Sequence, residues 1–472
     1  MVKSHHILIL LNIIILFYSS AKAQPDVSGH WEGAITIVGT DLVIKTDFRR
    51  TGDSLGGTID IPQQNAFGLP LKNIQAAGDT IHFELAAGPG LAIFDGVINS
   101  DTIRGDFSQS GLKGTFHLIK YSLNLGHPVD VKVNLYNEEE VLIQNGKDTL
   151  AGTLTLPKSG GRSPAVILIT GSGAQNRDEE IFGFKPFRII ADQLTKNGIA
   201  VLRCDDRGVG KSTGSSEGAT GKDFMLDVLA QMNYLKGRKD INPNKIGLCG
   251  HSEGATIAVM LAAEPHDVAF IVLMGGTGVS GDTIILKQME VLGRMSGMQE
   301  EEITGSLILQ NRVYEAIRTD SGWEDIRDTI LKKTIAQIEK MPDDQRRSIV
   351  DVNTYAETQV NATLRLARSP WFKYFIDYNP AKDLTKVRCP VLAIFGELDM
   401  QVDPVLNGRR IRTALELGKN KDHTVHTFPK TNHLFQKAET GNPTEYATLA
   451  KEFGPGVLDT VSQWILKRVK IE

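Results

Sequence analysis

Gly250-His251-Ser252-Glu253-Gly254 sets a serine between two glycines, each two residues away. A serine hydroxyl is a weak nucleophile at neutral pH; it needs a base to take its proton and a third group to orient that base. In the G-x-S-x-G spacing the turn is so tight that the positions two before and two after the serine must be almost free of side chain, which lifts the hydroxyl clear. The flanks agree with such a turn, since Lys245 to Cys249 reads as a short apolar strand and Ala255 to Ala263 is rich in helix formers. Taken alone, the pentapeptide also fits an ordinary strand-to-helix turn. The partners of the serine must decide.

Those partners follow in the chain. Asp399 stands after an expected strand, Pro390 to Phe395, and His433 stands after the next, Thr424 to Phe428. Loops at the carboxyl ends of parallel strands gather at one edge of the sheet, so Ser252, Asp399 and His433 are expected to converge there as nucleophile, orienting acid and base. Glu397 and Asp403 compete for the acid role, although Asp403 precedes Pro404 and is explained as a helix cap. His423 and His426 compete for the base but lie in or just before the strand, and His251 reads as a packing and positioning residue held by the turn. Acyl transfer also places negative charge on a carbonyl oxygen. The expected oxyanion-hole donors are the N–H of Glu253, at the start of a helix, and the N–H of Ser172, in the loop Thr170-Gly171-Ser172-Gly173.

Other chemistries are less well supplied. Asp206 to Thr213 ends like a phosphate-binding loop, but that motif needs a glycine where Asp205 stands, so the segment reads as a structural turn. No H-E-x-x-H or paired ligand spacing calls for a metal, and no cofactor is implied. A net charge of −4 with 23% charged residues gives no reason to expect a nucleic acid or an anionic membrane as partner. Cys204, Cys249 and Cys389 are odd in number, lack a C-x-x-C, and read as small buried hydrophobes rather than staples.

The 472 residues exceed what one core usually supports. Residues 1–23, with an apolar run from Ile7 to Phe17 and Ala21-Lys22-Ala23 at the end, read as a secretory signal cut after Ala23. A secreted or periplasmic protein is therefore expected, with no membrane span after cleavage. Residues 24–125 alternate with period two between turn signals and read as a small all-β domain, a sandwich or an open barrel. Its aromatics Trp31, Phe48, Phe67, Phe83, Phe94, Phe107 and Phe116 read as core rather than as a ligand platform. Residues 126–472 alternate strands and helices, the signature of a doubly wound, mostly parallel α/β sheet. A helical stretch at about 277–378, including one helix expected from Asp344 to Ala367, reads as an inserted cap. At its end Trp371, Phe372 and Tyr374 are candidates to line a substrate pocket.

With Gly171 to Glu179, Asp206 to Ser212, Gly250 to Gly254, Gly396 to Asp399 and Asn432-His433 in view, residues 130 to 472 resemble an α/β-hydrolase family of bacterial esterases related to prolyl-oligopeptidase-like and serine-aminopeptidase-like enzymes. The resemblance implies carboxylesterase activity on short acyl chains, a small-molecule ester as substrate, and Ser252, Asp399 and His433 as the triad. Thr170 stands where related enzymes often carry histidine, a departure that leaves the backbone donor intact. Peptidases, thioesterases and sugar deacetylases share such scaffolds. A peptidase would need an acidic anchor in the cap, to which Glu300 to Glu302 cannot be assigned. A glycan-binding protein with an inactive hydrolase domain is the reading from another class, and self-association through the β domain or the cap is left open.

Overall fold

The computed structural model describes residues 26–37, 40–52, 54–61, 66–86, 90–120, 135–158 and 161–469. The expected signal and its cut after Ala23 lie outside them, as does the side chain of Phe67.

Eight strands come first: β1 (Gly29–Ile37), β2 (Thr40–Thr51), β3 (Ser54–Ile61), β4 (Ala66–Ala77), β5 (Thr80–Ala86), β6 (Leu91–Asn99), β7 (Thr102–Gln109) and β8 (Leu112–Lys120). Each pairs antiparallel with the next, and β8 returns to β1, so the sheet is a closed barrel rather than the sandwich or open barrel expected. At eight strands the interior is just wide enough for side chains to fill it. Trp31, Phe48, Phe83, Phe94, Phe107 and Phe116 do so, with Phe83 stacked on Phe94 at 4.5 Å. These rings all face inward, so none is offered to solvent as a stacking platform.

The period-two alternation is interrupted in β4 and blurred in β6. Strand β4 carries Pro70, a positive φ of 49° at Asn73 and a register shift between Lys72 and Gln75. Strand β6 turns Leu91 and Val97 outward, which blurs its alternation.

The second unit runs β9 (Tyr136–Asn145), β10 (Asp148–Pro157), β11 (Ser163–Ile169), α1 (Pro186–Lys196), β12 (Ala200–Cys204), α2 (Gly221–Lys236), β13 (Ile241–His251), α3 (Glu253–Ala262) and β14 (Ile271–Met274). After the cap it resumes with α10 (Pro380–Leu384), β15 (Val391–Gly396), α11 (Pro404–Leu417), β16 (His423–Phe428) and α12 (Val457–Val469). The eight strands lie in the order β16-β15-β14-β13-β11-β12-β10-β9, antiparallel only where β10 meets β9 and β12. Every residue of β11, β12 and β15 is buried, because helices cover both faces. Helices α1 and α12 pack on one face, and α2, α3, α10 and α11 on the other.

The cap comprises α4 (Gly281–Met295), α5 (Glu300–Thr319), α6 (Trp323–Glu339), α7 (Asp343–Arg346), α8 (Val352–Ala367) and α9 (Pro370–Asp377), with a core of its own around Tyr314, Trp323, Val360 and Ile376. The one helix expected from Asp344 to Ala367 is thus two. Asp351 starts α8 by accepting the Thr354 N–H, and the residues before it serve another partner. Ile349 forms a β-bridge with Leu112 of the barrel, the Lys113 N–H donates to the Ser348 carbonyl at 2.7 Å, and the Val350 N–H donates to the Gly111 carbonyl at 2.8 Å. The tip of the β7–β8 hairpin is therefore docked onto the cap. Among the described residues no helix is long and apolar enough to cross a membrane.

Candidate active site

Strand β13 ends at His251 and α3 begins at Glu253, leaving Ser252 alone at the turn with φ 53° and ψ −116°. A non-glycine residue in that region stores on the order of 1–3 kcal/mol, which only strong surroundings maintain. They are present. A Cβ at Gly250 would lie 2.1 Å from the Gly254 carbonyl oxygen, and one at Gly254 would lie 2.1 Å from that of Ile169, so both positions demand glycine. The Ser252 N–H is tied to the Met274 carbonyl at 2.8 Å.

Asp399 and His433 meet at the same edge. His433 Nδ1 lies 2.7 Å from Asp399 Oδ2, and both side chains are buried. Asp399 Oδ1 accepts the N–H groups of Gln401 and Val402 at 2.9 and 2.8 Å, so the carboxylate is held from its own loop. With Nδ1–H donated to a carboxylate, Nε2 of His433 is left as the basic nitrogen. Among the described residues no hydrogen bond joins Ser252 to His433, and in free enzymes such bonds are often long or misaligned. Gly275, just after the Met274 that holds Ser252, has φ 58°, and a Cβ there would lie 3.0 Å from His433 Cε1. The competitors lie elsewhere: Glu397 accepts the Lys430 N–H, Asp403 caps α11, His423 faces the Asn420 carbonyl, and His426 is exposed against Phe428.

The loop after β11 is tied down from several sides. Asp206 accepts the Thr170 hydroxyl at 2.7 Å and the Gln175 N–H at 2.9 Å, and Glu179 Oε1 accepts the Gly171 N–H at 2.7 Å. Arg177 pairs with Asp205 at 2.7 Å and with Glu140 at 2.8 Å, and Asp178 pairs with Arg203. Ser212 donates to the Asp205 carbonyl at 2.8 Å, so the Asp206-to-Ser212 segment is the turn that anchors this loop. Ser172 is exposed on it. Among the described residues neither the Ser172 nor the Glu253 N–H donates to a protein acceptor. Asp205, Asp206, Glu179 and Gly275 are the supporting residues that sequence reasoning did not assign. The only signal for Asp206 and Glu179 was the resemblance of their segments, and Asp205 and Gly275 had none; their tasks depend on partners far away in the chain.

The Glu253 carboxyl points back under the cap, where its Oε1 accepts the Trp371 indole N–H at 2.8 Å. Burial raises its pKa to about 7 against the lowering effect of that bond, and burial likewise raises Asp206 to about 8. Of the three pocket candidates, Trp371 lies beside the elbow and stacks on Phe375 at 5.4 Å, whereas Phe372 packs against the cap core and Tyr374 packs against Gly221 and Met260. An open groove of about 1530 Å³ runs between cap and loop. Its wall includes Ser172, Trp371, Trp323, Arg365 and Arg368, but not Ser252 itself. Among the described residues no group of three or more His, Cys, Asp or Glu could hold a metal ion.

Residues 164–440 match the alpha/beta hydrolase fold family. Over 334 residues the chain is 27% identical to Esterase EstD of Thermotoga maritima, covering 70% of this chain and 68% of that one. Among solved structures it is similar to the α/β hydrolase GrgF from a Penicillium species, at 15% identity and a TM-score of 0.43 over 71% of this chain and 100% of the other. It is also similar to the esterase Pf2001 of Pyrococcus furiosus, at 18% identity and a TM-score of 0.40 over 71% and 91%. With the matched segment spanning more than half of the chain and enclosing the elbow, Asp399 and His433, the protein belongs to the α/β-hydrolase fold family and is an esterase-like hydrolase.

Proposed function

We propose that this protein is a serine carboxylesterase, exported from the cytoplasm, that hydrolyses short-chain acyl esters through an acyl-enzyme on Ser252. The observation that carries the reading is the buried His433–Asp399 contact of 2.7 Å at the sheet edge where Ser252 is held at φ 53°. Ser252 Oγ attacks the acyl carbon while His433 Nε2 takes its proton, and Asp399 stabilises the imidazolium that forms. The N–H groups of Glu253 and Ser172 receive the developing oxyanion. Collapse of the tetrahedral intermediate expels the alcohol, which leaves with the proton from His433; a water then repeats the sequence on the acyl-enzyme and releases the acid. The relationship to an esterase supports an ester as substrate.

The test is turnover of a p-nitrophenyl ester panel with wild type, Ser252→Ala and Asp399→Asn, together with fluorophosphonate labelling. Ser252→Ala is expected to lose labelling and at least about 10⁴-fold of kcat, and Asp399→Asn about 10⁴-fold. Equal rates from wild type and Ser252→Ala would overturn the mechanism. Cleavage of aminoacyl anilides without any ester turnover would overturn the substrate class.

A further inference from the structure

His251 stands next to Ser252 with both ring nitrogens against acceptors. Nε2 lies 3.0 Å from the His433 carbonyl oxygen, which can only accept, so Nε2 carries a hydrogen. Nδ1 lies 2.9 Å from Glu179 Oε1, the same oxygen that accepts the Gly171 N–H. A neutral imidazole with its hydrogen on Nε2 would point a lone pair at that carboxylate. The contacts are satisfied together only when a second proton lies between Nδ1 and Oε1. Glu179 is 1% and His251 5% exposed, so water does not relieve the conflict.

We propose that Glu179 and His251 form a buried imidazolium–carboxylate pair that positions this active site, Glu179 fixing the loop that presents Ser172 and His251 fixing the backbone of His433. The inference rests on the serine-hydrolase reading above for what is being positioned. Both links run to single atoms: one carboxylate oxygen joins the elbow to the oxyanion loop, and the other nitrogen of the same ring joins it to the loop of the base. The groups around the pair are the His433 ring, 4.7 Å from that of His251, Asp399 behind it, Asp206 across the loop and the Cys249 thiol. Burial is the largest single influence and works to keep His251 neutral; the charge and hydrogen bond of Glu179, the His433 carbonyl and the Asp399 charge together outweigh it, so the net displacement of its pKa is upward. The ring is held at the turn and Nε2 is already engaged, so this histidine acts through His433 and the loop rather than on the substrate.

The full chain labelled with ¹⁵N-histidine provides the decisive measurement. At about pH 8, well above the ordinary histidine pKa of about 6.5, one histidine is expected to show both ring nitrogens protonated. That signal is expected to vanish in His251→Gln and in Glu179→Gln. Glu179→Gln keeps the volume and one acceptor but cannot hold an imidazolium; its kcat is expected to fall by about 10²-fold with KM little changed. Glu179→Asp retains the charge but is a methylene shorter, so it is expected to keep the imidazolium and still lose kcat. Absence of the signal from the wild type overturns the pair, and wild-type kcat in either folded Glu179 variant overturns its positioning role. An active Ser252→Ala would instead overturn the serine mechanism and leave the spectrum unaffected, so the two failures are distinguishable.

Discussion

Gly275 shows how much of the site is set by a residue that performs no chemistry. A Cβ at this position would lie 3.0 Å from His433 Cε1 and 3.1 Å from Nδ1, so a larger residue would press on the ring. Gly275→Ala is therefore expected to lower kcat by about 10²-fold through displacement of the ring. Its positive φ should add about 1–2 kcal/mol of destabilisation, measured as a shift in urea midpoint. A second prediction concerns protons. Burial raises Asp206 to about 8 and Glu253 to about 7 from ordinary values of 3.8 and 4.5, so the folded state retains protons that the unfolded chain has already released. The associated stability is fully present below the ordinary values and is lost as pH rises through about 7 to 8. Asp206→Asn should flatten that decline in urea midpoints taken between about pH 5 and about pH 9, and an unchanged slope would rule Asp206 out as its source. As candidates, Ser252, Asp399 and His433 were legible in the sequence because a local spacing and a chain order mark them. Glu179 and Asp206 were not: Glu179 acts on His251, and Asp206 on Thr170, across separations that no local pattern encodes.

At the scale of elements, the cap reaches the elbow through the Trp371 indole, which donates to Glu253 Oε1. Trp371→Phe keeps the ring stacked on Phe375 but removes the donor to Glu253 Oε1. Leaving that buried carboxyl without the bond is expected to cost about 1–3 kcal/mol and to raise its pKa further, since the bond lowers it now. Chemical denaturation against pH checks both. The cap is held from its far side by the barrel hairpin, where Leu112 packs with Ile338, Ile349 and Ala356. Leu112→Asp is expected to speed amide exchange across residues 348–355 while fluorophosphonate labelling of Ser252 is retained; unchanged exchange would show that the hairpin does not hold the cap. The parallel strands and their helices were readable because continuous apolar runs and helical periodicity are local signals. The break between α7 and α8 was not, because its cause is a strand pairing with Leu112, more than two hundred residues earlier.

At the scale of the molecule, the barrel meets the rest of the chain at the cap, through Leu112 and Ile349, and at the loop after β11, where Lys45 lies 3.8 Å from Glu180. The all-β character of residues 24–125 was plain from their alternation. Closure was not, since it depends on β1 finding β8 at the other end of the module. Closure also determines how the molecule can meet others. A sheet joined to itself exposes no row of unpaired backbone groups, so the barrel cannot be extended by an added strand. The larger sheet ends in β9 and β16. Strand β9 carries Glu138, Glu139 and Glu140 in succession, the last two paired with Arg238 and Arg177, so this edge is lined with charged side chains that disfavour pairing with another strand. Closure of the barrel and the charges along β9 thereby direct contacts at these two places to outer faces and loops, and away from strand-to-strand joining.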